Sequence, residues 1–132
     1  MNPRAPSAAV FAAVLAATPA APRTVPDGSW GGDGAGVTVT RDGARLTFDC
    51  AHGSIDGAVA LDADGRFDAR GVYVKESPGP TRPGASDGEP VRYVGRIDGD
   101  AMTLSILRAG SEEPVGSFTL RKGRLPRVRE CG

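Results

Sequence analysis

Apolar and polar residues alternate with a period of two along most of the chain after residue 30. This alternation is typical of β-strands that bury one face. In the stretch 45–53, Leu46, Phe48 and Cys50 share one face, and His52-Gly53 is expected to form the turn that follows. The stretch therefore predicts a strand that runs into a cysteine and then reverses.

The same alternation recurs at even spacing in the rest of the chain. The other alternating segments are 37–40, 54–61, 66–76, 91–97, 102–106 and 118–121. Short turns separate them, and one of these turns contains an Asp-Gly pair, Asp42-Gly43, which favours a hairpin. The pattern predicts an all-β fold, an antiparallel up-and-down meander of seven or eight strands that closes into a small barrel or a flattened sandwich.

One predicted strand, 66–76, breaks its own alternation. Phe67 and Ala69 share one face, whereas Val72 and Val74 have the opposite parity. Gly71 lies at the break, and glycine tolerates the backbone geometry of a β-bulge. The sequence therefore predicts a bulge at Gly71 that returns both sets of side chains to the core.

Composition agrees with such a fold. The 132 residues suffice for one domain, and 19 glycines and 11 prolines suit short strands joined by turns. Sixteen basic and 16 acidic residues balance. Because no net positive field results, we expect no nucleic-acid partner.

The segment 76–90 holds four prolines and three glycines, so it is predicted to be the longest irregular connection. It is a candidate binding loop. A surface loop without a role is the alternative.

The first 20 residues resemble a secretory signal. Arg4 precedes an apolar run from Ala8 to Ala17, and small residues follow in Thr18-Pro19-Ala20. Ten apolar residues are too few to span a bilayer. We therefore expect a signal peptide at 1–20, a linker at 21–29 and a single domain at 30–132, in a secreted or periplasmic protein without stable membrane insertion after cleavage.

The chain contains two cysteines, Cys50 and Cys131, which lie 81 residues apart in sequence. Disulfides persist in exported proteins, so one intrachain bond is predicted. The chain-entropy model gives such a cross-link roughly 4.5 kcal/mol of stabilisation. Cys131 would thereby clamp the tail 125–132 onto the strand that ends at Cys50.

Candidate metal sites lack ligands. The chain has two thiols and one imidazole, those of Cys50, Cys131 and His52. Three ligands are fewer than the four of a structural zinc site. The aspartates of 62–68 lack the third in-step ligand and the distal glutamate of an EF-hand loop. We therefore expect no metal and no other cofactor.

Asp49, His52 and Ser54 suggest a hydrolytic triad by residue type. No nucleophile-elbow pattern surrounds Ser54, and a His-Gly pair at a strand end is more often part of a turn. The sequence therefore favours a protein that is not an enzyme.

Gly28-Ser29-Trp30 resembles the Gly-x-Trp motif that opens the first strand of lipocalins and other calycins. In those families the tryptophan closes one end of the barrel and packs against an arginine near the last strand. The resemblance implies this role for Trp30, with Arg121 as the preferred partner and Arg124 as the alternative.

The chain also resembles a set of small secreted bacterial proteins of uncharacterised function. The segments that carry this likeness are Trp30-Gly31-Gly32, 48–53, Gly65-Arg66-Phe67, Tyr93-x-Gly95, 99–104 and Phe118-Thr119-Leu120. In size and export the chain is further similar to periplasmic inhibitors of lysozyme or of secreted proteases. These resemblances imply export and a β fold.

Two functions are expected from these observations. The first is a lipocalin-like barrel that binds a small apolar molecule without catalysis. Its predicted lining is Phe48, Phe67, Tyr93, Met102, Ile106 and Phe118. The alternative is a protein-binding module, or an inhibitor of a secreted enzyme, that acts through the 76–90 loop. A monomer is expected in either case.

Overall fold

The computed structural model describes residues 23–76, 88–129 and 131. The predicted signal peptide 1–20 and most of the predicted loop 76–90 lie outside these residues. Within them, no helix is long and apolar enough to cross a membrane.

The described residues form an antiparallel all-β fold without helices, as the alternation predicts. The strands are β1 Arg23–Thr24, β2 Gly28–Gly32, β3 Ala35–Thr40, β4 Gly43–Phe48, β5 Ala51–Asp56, β6 Ala60–Leu61, β7 Arg66–Lys75, β8 Glu89–Asp98, β9 Ala101–Arg108 and β10 Pro114–Lys122. Eight of them close into a barrel in the order β10-β2-β3-β4-β5-β7-β8-β9, and β1 pairs with β6. The fold is therefore a barrel rather than a sandwich.

The predicted linker 21–29 contributes to this fold. β1 and the start of β2 lie within it, and Val25 between them is buried in the core. The backbone N–H of Val25 donates to the carbonyl of Val59 at 2.8 Å.

The strand that contains Leu46 ends earlier than predicted. β4 stops at Phe48, which pairs with Ala51, so Asp49 and Cys50 form a two-residue turn. Such tight turns require a residue with positive φ, and Cys50 has a φ of 54°. The predicted turn at His52-Gly53 is therefore wrong, because both residues lie within β5.

The predicted bulge at Gly71 is also wrong. β7 pairs with β8 from Arg66 to Tyr73 without a shift of register. Gly71 continues the inward-facing series of Phe67 and Ala69, while Val72 lies on the outer face with 38% of its surface exposed. The register shift among the barrel strands occurs instead in β10, between Pro114 and Gly116.

The C-terminal tail crosses the outside of β2 and β3. Gly31 and Gly36 are register partners on these strands. A β-carbon at Gly31 would lie 2.1 Å from the carbonyl oxygen of Arg124, and one at Gly36 would lie 2.7 Å from Pro126. The two glycines therefore permit the close approach of the tail.

Backbone hydrogen bonds and the disulfide fix the end of the tail. Arg127 donates to Gly32 at 3.0 Å and accepts from Gly34 at 2.8 Å. Cys50 and Cys131 are bonded, with their Cα atoms 5.0 Å apart. The predicted clamp is confirmed, and the disulfide indicates an oxidising environment.

Candidate functional site

The six residues predicted to line a ligand cavity lie in or against the barrel core. Phe48, Phe67, Tyr93, Met102 and Ile106 are buried, and Phe118 is partly buried against them. The ring of Phe48 stacks on Tyr93 with centroids 6.4 Å apart and lies 5.3 Å from the ring of Phe118. The side chains thus occupy the interior by contacting one another.

A cavity of about 20 Å³ lies in the interior, and two of the six predicted residues, Phe67 and Met102, line it. It is lined by Val25, Val37, Val39, Ala44, Leu46, Ile55, Val59, Phe67, Met102 and Leu104. A space of this size holds about one water molecule, and an apolar cavity generally stays dry. In the part of the chain that the structure describes, the barrel interior is filled by side chains.

Tyr93 has the largest fully buried side chain in the core and makes a polar contact there. Its hydroxyl donates a hydrogen bond to the carbonyl of Val72 at 2.6 Å. Gly53 and Gly71 flank the ring, because a β-carbon at either would lie within 2.6 Å of it or of its hydroxyl. Burial raises the pKa of the Tyr93 hydroxyl well above its usual value, so the residue is neutral at physiological pH.

Trp30 is buried in the core, and the register places a lysine opposite it. Lys122 pairs with Trp30, whereas Arg121 pairs with Gly31 and is exposed. Because cross-strand partners share a face of the sheet, Lys122 rather than Arg121 is on the face of Trp30. The predicted packing of Arg121 on Trp30 is therefore not favoured by the register.

The residues of the suggested triad do not form one. The Asp49 carboxylate accepts the backbone N–H of Arg129 at 2.6 Å. His52 Nδ1 lies instead 2.8 Å from Glu76 Oε1 on the exposed outer face. Ser54 follows His52 on the same face of β5, and the structure gives it no hydrogen bond with the imidazole.

No three His, Cys, Asp or Glu side chains within the described ranges are close enough together to hold a metal ion. The contact of Glu76 with His52 is not predictable from the sequence alone, because it depends on the pairing of β5 with β7.

The outer face of β7 and β8 carries opposed arginines. Arg66 pairs directly with Arg96, and Arg70 pairs directly with Arg92. Like charges directly across a sheet repel each other. This arrangement was not visible in the sequence, since it requires the register between the two strands.

Asp68 lies between the two arginine pairs. Its carboxylate binds Arg92 through two hydrogen bonds, one of them from Nε at 3.0 Å. This hydrogen bond, together with the charges of Arg92 and Arg70, lowers the pKa of Asp68. Among the described residues, Arg66, Arg70 and Arg96 have no carboxylate within 4.0 Å, so the face keeps an excess of positive charge.

A cleft of about 550 Å³ opens beside this face, between β6 and β7. Its walls are Ala60, Leu61, Asp62, Arg66, Phe67, Asp68, Val94 and Gly95. Its volume is within the range of ordinary ligand sites, which is about 300 to 1,000 Å³. It is open to solvent, and the core residue Phe67 lines both this cleft and the cavity in the barrel interior.

A second outer groove, of about 420 Å³, lies over β3, β4 and β5. Its lining is mostly small and polar and includes Thr38, Thr40, Arg45 and Ser54. Arg45 pairs there with Thr38 on one side and Ser54 on the other, so its charge is isolated from the arginines of β7 and β8.

No known protein family matches this chain, and neither a curated protein nor a solved structure shows significant similarity to it.

Proposed function

We propose that this protein is a non-catalytic, exported binding protein that engages a protein partner through its outer surface. The main support for this proposal is that side chains fill the barrel interior. Among the described residues, side chains occupy the space that a lipocalin-like ligand would need, and the cavity of about 20 Å³ between them is the size of one water.

Export is supported by two independent features. The first 20 residues have the composition of a signal peptide, and the disulfide suits an extracellular or periplasmic setting. We propose that the lipocalin-like motif at Gly28-Ser29-Trp30 reflects the architecture of the barrel, in which Trp30 is a core residue.

Binding of a small apolar molecule inside the barrel stays a prediction. Such a ligand would have to displace large buried side chains, of which Tyr93 and Met102 are examples. Displacement of a close-packed core costs several kcal/mol, which the ligand would have to supply. Surface binding requires no such rearrangement.

The proposal is tested by capture of a partner with the mature, disulfide-bonded protein as bait. The bait is cross-linked in the exported protein fraction of the cells that produce it, and adducts are identified by mass spectrometry. A Tyr93→Phe bait serves as the matched control, because it alters only the interior. We expect one protein to be captured in a fixed ratio by both baits.

Two results would overturn the proposal. One is a small-molecule adduct on the bait in place of a protein partner. The other is the absence of any stoichiometric protein adduct in repeated captures.

A further inference from the structure

β7 has a strand neighbour on only one side over its first half. β8 pairs with β7 from Arg66 to Tyr73, whereas β5 pairs with it only from Val72 to Lys75. The element on the other side is β6, whose strand partner is β1. The stretch 66–71 of β7 therefore presents a backbone edge to the cleft between β6 and β7.

The hydrogen-bond pattern identifies the backbone groups on this edge. Ile97 donates to the carbonyl of Gly65 at 2.8 Å. This bond determines which residues of β7 form hydrogen-bonded pairs with β8. In an antiparallel pair, alternate residues direct their backbone groups towards the partner strand. The odd-numbered residues of β7 thus face β8, and Arg66, Asp68 and Arg70 direct their N–H and C=O groups towards the cleft.

Asp62 occupies the backbone groups at one end of the edge. Its carboxylate accepts the N–H of Arg66 at 2.8 Å, and its own N–H donates to the Arg66 carbonyl at 2.9 Å. Asp68 is the next residue whose backbone groups face the cleft. A backbone edge of this kind is a template for another extended chain.

The charges around the cleft determine whether an acidic or a basic peptide would bind there. Arg66 and Arg70 project from β7, and Arg92 and Arg96 project from β8 beside them. Two carboxylates line the cleft, and both have partners. Asp68 is bound to Arg92, and Asp62 accepts the backbone N–H groups of Asp64 and Arg66. An acidic chain would offset the repulsion within the opposed arginine pairs, whereas a basic chain would increase it.

We propose that the cleft between β6 and β7 binds an extended acidic peptide segment of a protein partner by β-strand addition. The segment pairs its backbone with Asp68 and Arg70, and its acidic side chains contact the arginines of β7 and β8. This inference rests on the proposed function and names the surface through which that function operates. A free backbone edge favours a peptide over a nucleic acid or a lipid surface, since only a peptide extends the ladder.

The test uses two synthetic peptides, one alternating valine with glutamate and the other alternating valine with lysine. Binding to the mature protein is measured by calorimetry, and the site is located from backbone amide shifts in NMR spectra. We expect the acidic peptide to bind and to shift the amides of Leu61, Asp68 and Arg70. We expect the basic peptide to bind at least about tenfold more weakly.

Charge reversal on the protein gives the second part of the test. The double variant Arg66→Glu/Arg70→Glu should weaken binding of the acidic peptide by at least about tenfold. Arg45→Glu is the matched control, because Arg45 projects from the outer face of β4, a strand that does not pair with β7. It should leave the affinity unchanged.

A proline substitution separates backbone pairing from charge. Asp68→Pro removes an N–H that points away from β8, a position at which an edge strand tolerates proline. Asp68→Ala keeps that N–H and loses the same carboxylate. We expect Asp68→Pro to abolish binding and Asp68→Ala to retain it, with the fold of both checked by circular dichroism. An acidic peptide N-methylated at alternate residues provides the same test without a change to the protein, and it should not bind.

Equal affinities for the two peptides, or loss of binding in Arg45→Glu as large as in the cleft variant, would overturn the inference. So would full binding by the N-methylated peptide. Failure of the acidic peptide to bind would also overturn the inference. If both baits still captured a protein partner, the proposed function would hold, with binding at another surface.

Discussion

The hydroxyl of Tyr93 donates a hydrogen bond to the backbone carbonyl of Val72 across the inside of the barrel. The side chain of Tyr93 is completely buried, and the contact spans β8 and β7. Gly53 and Gly71 leave the space that the ring occupies. This one side chain thus takes up volume that a ligand-binding barrel would leave open.

Tyr93→Phe removes the hydroxyl and its hydrogen bond. We expect the free energy of unfolding to fall by about 1 kcal/mol, the usual net contribution of one such bond. Urea unfolding at neutral pH measures the change. An unchanged midpoint would mean that the hydroxyl contributes nothing to stability.

Gly53→Ala tests the close approach of Tyr93 to β5. The added methyl group would lie 2.0 Å from the hydroxyl oxygen, so we expect a loss of about 1–3 kcal/mol through overpacking. The loss should be smaller when Tyr93→Phe is already present, because the nearest clashing atom is then gone. Equal losses in both backgrounds, measured in a double-mutant cycle, would contradict this contact.

Alkaline pH should destabilise the protein through its tyrosines. Burial raises the pKa of both Tyr93 and Tyr73 in the folded state. A raised pKa favours the neutral hydroxyl, so this contribution to stability is present below the unfolded pKa of about 10 and is lost as pH rises further. We expect tyrosinate absorbance to appear together with unfolding, and Tyr93→Phe to weaken the decline in stability. Ionisation of both tyrosines near pH 10 in a folded protein would contradict this.

Cys131→Ser should free the C-terminal tail and destabilise the domain. The chain-entropy model gives a loss of roughly 4.5 kcal/mol for a loop of this length. Thermal unfolding in oxidising buffer should show a clear fall in Tm. Under reducing conditions the wild type and the variant should converge, and a Tm unaffected by the substitution would show that the clamp does not stabilise the fold.

Gly31→Ala should displace the tail where it crosses β2. The added methyl group would lie 2.1 Å from the carbonyl oxygen of Arg124, which is backbone and cannot rotate away. We expect faster hydrogen exchange at the amides of Gly34 and Arg127, which pair the tail with the barrel. Thr38→Ala, on the exposed face of β3, is the control and should leave both amides protected.

Alternation along the chain predicts the all-β meander, because each strand has one buried face, and the choice of a barrel over a flattened sandwich comes from the strand pairing. This pattern predicts an inward orientation for Phe48, Phe67 and Tyr93, and all three are buried. The disulfide followed from the presence of only two cysteines. These features depend on local periodicity and composition, which a single sequence contains.

The position of a turn and the role of a glycine are not predictable from alternation where they depend on a distant side chain. The change of parity at Val72 and Val74 predicts a bulge at Gly71. In the structure, the missing side chain of Gly71 leaves room for the ring of Tyr93 on another strand. The cleft and the arginine pair Arg66 and Arg96 depend on strand register as well. Register and packing between distant segments are not available from alternation alone.

The barrel is filled by side chains, and we propose that it acts through its surface. Native mass spectrometry of the disulfide-bonded protein, recovered from the cells that produce it and then incubated with fatty alcohols, tests this most directly. We predict the bare mass, two hydrogens below that of the reduced chain, without any small-molecule adduct. A one-to-one adduct with a small apolar molecule that persists in the gas phase would contradict the claim and place the ligand inside the barrel.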